Sequence, residues 1–196
     1  IFGNTHAQIL MKMAKLARRQ QRLNREMPLV LFTDDSGRDW AAAARRLPPA
    51  GIAVIRGRDA KSRAALFDAL RSLPRLRLLV ADDPLLAAEA DGLHLPERRA
   101  REAAHWRVRR PDWIITAAAH SLGALLRLGP VDAAFLSPVF ATTSHAGMPA
   151  LTPLRAAFIA AASPLPVYAL GGITARNAAL LAPSFAGIAA ISAFTD

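Results

Sequence analysis

The residues best placed to do chemistry in this 196-residue chain are glycines. Near the C-terminus an apolar run from Pro166 to Leu170 ends in Gly171, Gly172 and Ile173, and a second from Gly187 to Ala190 ends in Ile191 and Ser192. Each reads as a buried strand that breaks at small residues. A backbone without Cβ lets an anion approach main-chain N–H groups, so Gly171 and Gly172 form a candidate phosphate cradle, with Ile191 and Ser192 at the end of the following strand. Thr174 is placed to N-cap a helix running through Asn177 to Leu181. The competing reading of the glycine pair is a tight packing turn. The chain has no cysteine, which removes disulfides, thiolate metal sites and a cysteine nucleophile together. The loop from Asp34 to Gly37 lacks the spacing of a dinucleotide fingerprint.

These residues need elements to hold them. Apolar strand candidates fall at Leu29–Thr33, Ile52–Ile55, Leu78–Ala81, Gly92–Leu95, Trp113–Thr116, Ala133–Ser137, Val167–Leu170 and Ile188–Ser192. Between them lie segments with helical spacing, at Asp39–Leu47, Lys61–Leu73, Ser121–Leu128 and Pro153–Ala162. Nearly all-apolar strands alternating with helices indicate a parallel sheet covered on its faces. Eight of them predict an α/β fold, a single-domain (β/α)8 TIM barrel, with a doubly wound open sheet as the runner-up. In such a barrel, strands seven and eight commonly end in a phosphate site, which is where the glycines stand.

Two ends of the chain depart from a bare barrel. Thr5 and Gln8 form a capping box, and Ile9, Met13 and Leu16 share one face, so residues 1–27 read as an amphipathic helix ahead of a barrel spanning 28–196. Beyond the eighth strand only Ala193 to Asp196 remain, too short for an eighth helix. The N-terminal helix or a partner, such as the second copy in a homodimer, is expected to cover that face; a chain cut short is the plain alternative.

Composition narrows the function classes. With 53% hydrophobic residues the chain is a folded domain with a sizeable core. No apolar run reaches the ~20 residues that span a bilayer, and the N-terminus does not read as a signal peptide, so no membrane role and a cytoplasmic location are expected. The net charge of +10 raises nucleic-acid binding. Much of it sits in Lys12, Lys15, Arg18, Arg19, Arg22 and Arg25 of the N-terminal helix, with a second cluster at Arg98–Arg110. No aromatics are interleaved with the basic residues of the N-terminal helix for base stacking, so that reading ranks last, and the positive charge suits a small anionic substrate.

Several ordered pieces point to one family. Ala90 to Leu95, Ala119 to Ser121, Val131 to Thr142, Ala169 to Ile173 and Ala190 to Ala193 together resemble thiamine phosphate synthase and its thiazole tautomerase relatives, over roughly residues 28–194. The resemblance implies a barrel enzyme of thiamine biosynthesis. Such a transferase joins a hydroxymethylpyrimidine diphosphate to a thiazole phosphate, releasing diphosphate with the help of Mg²⁺. It implies a thiazole-phosphate cradle at Gly171, Gly172, Ile191 and Ser192, and a metal ligand at Asp82, with Asp83 as the alternative and helix capping as its other role. It implies diphosphate contacts at Arg56 and Arg58, and a sixth-strand loop in which Thr142, Ser144 and His145 contact phosphate oxygens. His94 and His120 read as structural residues.

The chain also departs from the family pattern. Val54 stands where a glutamine contacts the pyrimidine, Arg58 and His145 stand where lysines are usual, Ala118 replaces a serine, and Arg99 falls where the second metal carboxylate belongs. Pro138 keeps the synthase pattern where tautomerases carry histidine. These substitutions motivate the alternative of a non-synthase relative, a sensor or an enzyme of altered chemistry, that binds a phosphorylated metabolite.

Overall fold

In the computed structural model, which describes residues 29–142, 149–181 and 184–191, eight strands form a closed barrel. They are β1 (Leu29–Phe32), β2 (Ile52–Ile55), β3 (Arg77–Ala81), β4 (Gly92–Leu95), β5 (Ile114–Ala119), β6 (Ala133–Leu136), β7 (Val167–Ala169) and β8 (Gly187–Ala190). Every neighbouring pair is parallel, and β8 closes on β1 with Leu29 opposite Ile188 and Leu31 opposite Ala190. The fold is the expected (β/α)8 barrel, and the open-sheet alternative falls. The expected helix within residues 1–27 and the expected cover of the eighth face lie outside the described residues.

Strand alternation sorts the core into an inside and an outside. Val30, Phe32, Ile52, Val54, Leu79, Ala81, Ala133, Phe135, Tyr168, Leu170 and Ala189 pack together as the barrel lumen. Their strand neighbours, among them Leu31, Ile55, Val80, Leu93 and Ile115, pack outward under the helices. Each fully buried leucine, isoleucine or phenylalanine contributes about 1.5–3 kcal/mol, so both layers are strongly specified.

The helical layer is made of short pieces: α1 (Trp40–Arg45), α2 (Ala60–Leu70), α3 (Pro84–Ala87), α4 (Ala103–Arg109), α5 (Leu122–Leu126) and α6 (Pro153–Ala161). Their starts follow from capping. The side chains of Asp39, Asp59, Asp83 and Ser121 each accept a backbone N–H from the first turn of the following helix. A 3₁₀ helix, Glu97–Glu102, precedes α4.

After β7 the structure corrects the sequence reading. No α-helix runs through Asn177 to Leu181; a single 3₁₀ turn covers Ala178–Leu180. Thr174 does not cap it with its side chain. Instead Asn177 Oδ1 accepts the Thr174 N–H at 2.8 Å, and its Nδ2 donates to the Gly172 carbonyl at 2.8 Å. Asn177 thus belongs to the glycine turn, and Pro183 shortly beyond disfavours helical continuation.

Candidate active site at the mouth of the barrel

The C-terminal ends of the strands bring most of the described candidate residues to one rim, in two groups. On one side stand Gly171 and Gly172 after β7 and Ile191 after β8. The ladder between these strands pairs Tyr168 with Gly187 and Ala169 with Ile188, so β7 and β8 end side by side at this rim. Both glycines are left-handed, with φ of 96° and 63°. A Cβ on Gly171 would lie 2.8 Å from Pro138 Cα, and one on Gly172 would lie 2.4 Å from the Ala141 carbonyl oxygen. The glycines therefore let the β7 loop pack directly on the β6 loop, where the Phe140 N–H donates to the Gly171 carbonyl at 3.1 Å. The packing-turn reading is correct as far as it goes.

The same turn leaves donors over. The N–H groups of Gly171, Gly172, Ile173 and Ile191 donate to none of the described residues. Gly171 is buried, and a buried amide without a partner is rare in folded proteins. Consecutive amides around left-handed residues make a concave set of donors suited to an anion. Thr142 follows directly on the segment packed against these glycines, while Ser144, His145 and Ser192 lie outside the described residues.

The other group stands after β2, β3 and β4. Thr33 clamps the start of the β2 loop: its Oγ1 accepts the Arg56 N–H at 2.9 Å and donates to the Arg56 carbonyl at 3.1 Å. Asp35 accepts the Arg58 N–H at 2.7 Å. Neither guanidinium of Arg56 or Arg58 is hydrogen-bonded or ion-paired to a described residue. Arg56 shares the inward parity of Val54, and its charge is felt in the lumen, as His94 shows. Burial pushes the His94 imidazole down to about 3, helped by the Arg56 charge and opposed by Asp82. His94 is therefore neutral, with Nδ1 3.0 Å from Thr116 Oγ1 and its ring edge-on to Phe32 and Phe135. It is a satisfied lumen histidine, as expected.

Val54 is fully buried in the same lumen. The residue standing in for the family's glutamine is thus part of an apolar wall. His120 is held structurally: its N–H donates to Glu97 at 2.8 Å, and its Nδ1 lies 2.7 Å from the Ser137 carbonyl.

Asp82 is the residue whose surroundings differ most from expectation. It adopts a left-handed φ of 59° at the end of β3. Arg98 Nη2 binds Oδ2, and Arg99 Nη1 binds Oδ1 at 2.5 Å. Partial burial pushes this carboxyl up, but the bonds and charges of Arg99 and Arg98 outweigh it and hold it below its ordinary value. Glu102 grips the far edge of Arg99 with two bonds of 2.6 Å and is itself held down by that guanidinium. The alternative ligand, Asp83, caps α3 through Oδ1 and pairs Oδ2 with Arg63 at 3.2 Å.

These residues do not fit Mg²⁺. The ion needs free carboxylate oxygens, and both Asp82 oxygens already accept from guanidinium groups. A guanidinium about 4 Å away repels each unit of added positive charge by roughly 4 kcal/mol at an effective dielectric of 20. Among the described residues no cluster of three His, Cys, Asp or Glu side chains is arranged to hold a metal ion.

Sequence reading did not anticipate the Thr33 clamp, Arg98 or Glu102. Thr33 carried a local signal, a hydroxyl at a strand end. Glu102 carried a weaker one, its three-residue spacing from Arg99. Arg98 meets Asp82 only through the fold.

Comparison with known proteins agrees with this fold. The family described as thiamine monophosphate synthase matches residues 29–194. The thiamine-phosphate synthase of Methanoculleus marisnigri is 33% identical over 186 residues, covering 84% of this chain and 86% of the relative. That of Laribacter hongkongensis is 33% identical over 156 residues, covering 74% and 73%. The solved thiamine phosphate pyrophosphorylase from Pyrococcus furiosus has a TM-score of 0.69 at 25% identity, over 87% of this chain and 88% of that one. With a barrel of this topology and a family match over residues 29–194, the chain belongs to the thiamine monophosphate synthase family.

Proposed function

We propose that this chain makes thiamine phosphate by joining a pyrimidine-methyl diphosphate to a thiazole phosphate. The observation that carries the reading is the backbone donors of Gly171, Gly172, Ile173 and Ile191 that meet no acceptor among the described residues, which suit the thiazole phosphate. In this reading those amides hold the phosphate and orient the thiazole nitrogen toward the lumen. The guanidinium groups of Arg56 and Arg58, with Thr142 across the rim, hold the diphosphate. The bond from the pyrimidine methylene to the diphosphate oxygen breaks, and its electron pair leaves on diphosphate. The thiazole nitrogen then gives its lone pair to the methylene carbon. Cations around a departing diphosphate act on charge that grows in the transition state, where electrostatic contacts contribute most.

Val54 and the neutral His94–Thr116 pair are buried in the lumen, where they would underlie the pyrimidine site as a packed floor. Mg²⁺ is the family's usual aid, and no step here depends on it. The alternative of a phosphate-binding relative without synthase activity is not favoured, because relatives named as synthases are 33% identical along most of the chain.

The test is direct. Purified protein incubated with both substrates is expected to form thiamine phosphate and diphosphate in equal amounts. No product at enzyme concentrations stoichiometric with substrate would overturn the reading.

A further inference from the structure

The loop after β3 presents a carboxylate that is already neutralised. Arg98 and Arg99 take one oxygen of Asp82 each, and Arg99 also donates to the Asp82 carbonyl at 3.3 Å. Glu102 then closes the other edge of Arg99. The four side chains carry two negative and two positive charges, so the cluster offers no net negative charge to a cation. Its geometry is set locally: Arg99 and Glu102 stand one turn apart in the 3₁₀ helix that follows β4, and the Asp82 N–H donates to the His94 carbonyl at 2.9 Å. Arg98 has most of its side chain exposed, with a single bond to Asp82. Arg56 and Arg58, on the neighbouring strand loop, have guanidinium groups bound to no described residue.

We infer that this barrel takes up its diphosphate-bearing ligand without a divalent cation, with Arg56, Arg58 and Arg98 supplying the charge and the Arg99–Glu102 pair locking Asp82 out of metal binding. The inference rests on the reading that a diphosphate binds at this mouth. Its physical basis is that guanidinium groups grip phosphoryl oxygens with directed, charge-assisted bonds and need no carboxylate cage. Arg99 is here a positioning residue: four of its five N–H groups are spent on Asp82 and Glu102, and it acts by holding the Asp82 carboxylate.

Two measurements on the full chain test this. Inorganic diphosphate is titrated calorimetrically into metal-stripped protein in EDTA and, separately, in excess Mg²⁺. Affinity in EDTA is expected to stay within about threefold of that in Mg²⁺, a difference worth well under one charge-assisted bond. Binding that appears only with Mg²⁺, or tightens about tenfold or more with it, overturns the inference and leaves the synthase reading standing. No binding in either buffer overturns the underlying reading that diphosphate is a ligand, and the inference with it.

The second measurement follows Mn²⁺ alone by electron paramagnetic resonance. The parent chain is expected to leave the Mn²⁺ signal free, and Arg99→Asp to capture it. Mn²⁺ bound by the parent protein overturns the inference. Arg98→Ala, at an exposed position, guards against a misfolded Arg99→Asp. It is expected to weaken diphosphate binding in EDTA by about tenfold, the worth of one charge-assisted bond, and unchanged affinity counts against the proposal.

Discussion

His94 shows how a single residue ties the lumen to acid stability. Folded, its imidazole titrates near 3, because burial and the Arg56 charge disfavour the cation; unfolded, it returns to about 6.5. A histidine lowered in this way contributes stability that is complete above pH 6.5 and is lost as pH falls from there toward 3. Over that window each pH unit costs up to about 1.4 kcal/mol from this group alone. Asp82 adds to the trend, since a carboxyl held below its ordinary value loses its contribution as acid protonates it. His94→Gln keeps a hydrogen bond to Thr116 but cannot titrate. Urea midpoints measured from pH 7 to 4 are expected to fall less steeply for this variant, by about one proton's worth of slope. Equal slopes would place His94 in contact with water.

At the scale of elements, β4 and β5 pack tightly at Gly92. A Cβ on Gly92 would sit 2.0 Å from the Ile114 carbonyl oxygen. That atom is backbone and cannot rotate away, so relief requires the two strands to part. Ordinary overpacking costs about 1–3 kcal/mol, and a backbone clash exceeds it. Gly92→Ala is therefore expected to lower stability by more than about 3 kcal/mol, as chemical denaturation would read, or to prevent folding. A change below about 1 kcal/mol would show that the strands have room to separate. Element boundaries were largely legible in sequence: β2 and β4 lie at the expected residues, and the other strands shift by one to three positions. The segment after β7 was misread because Asn177 looks like an ordinary helical residue until the Gly172 carbonyl is placed beside its amide.

For the molecule as a whole, the two groups of candidate residues share one end of the barrel, donors after β7 and β8 and arginines after β2 and β4. The chain carries a net charge of +10, and Arg56, Arg58 and Arg98 stand after β2 and β4 at that mouth. Both proposed substrates are anionic, so part of their binding is long-range attraction that salt screens. Raising ionic strength from about 0.05 to about 0.5 M is expected to raise KM for both substrates several-fold while kcat changes little. A KM insensitive to salt would confine recognition to the short-range bonds of the cradle and the arginines. None of the described helices is long and apolar enough to cross a membrane.

The amino-acid sequence by itself determined a parallel α/β fold, because eight nearly all-apolar strands alternate with helical segments, and the tertiary structure decided that the sheet closes into a barrel. The sequence also marked Gly171 and Gly172, since a pair of glycines at a strand end is a local signal with a local cause. It placed Arg99 where a metal carboxylate was expected. Only the tertiary structure decided what that substitution does. Arg98, Arg99 and Glu102 come from the turn after β4, and Asp82 from the end of β3. Strand pairing sets them together, and the guanidinium groups then take the carboxylate that a metal would have needed. Charge compensation between side chains 16 and 17 residues apart has no signature along the chain, because it depends on which strand ends become neighbours.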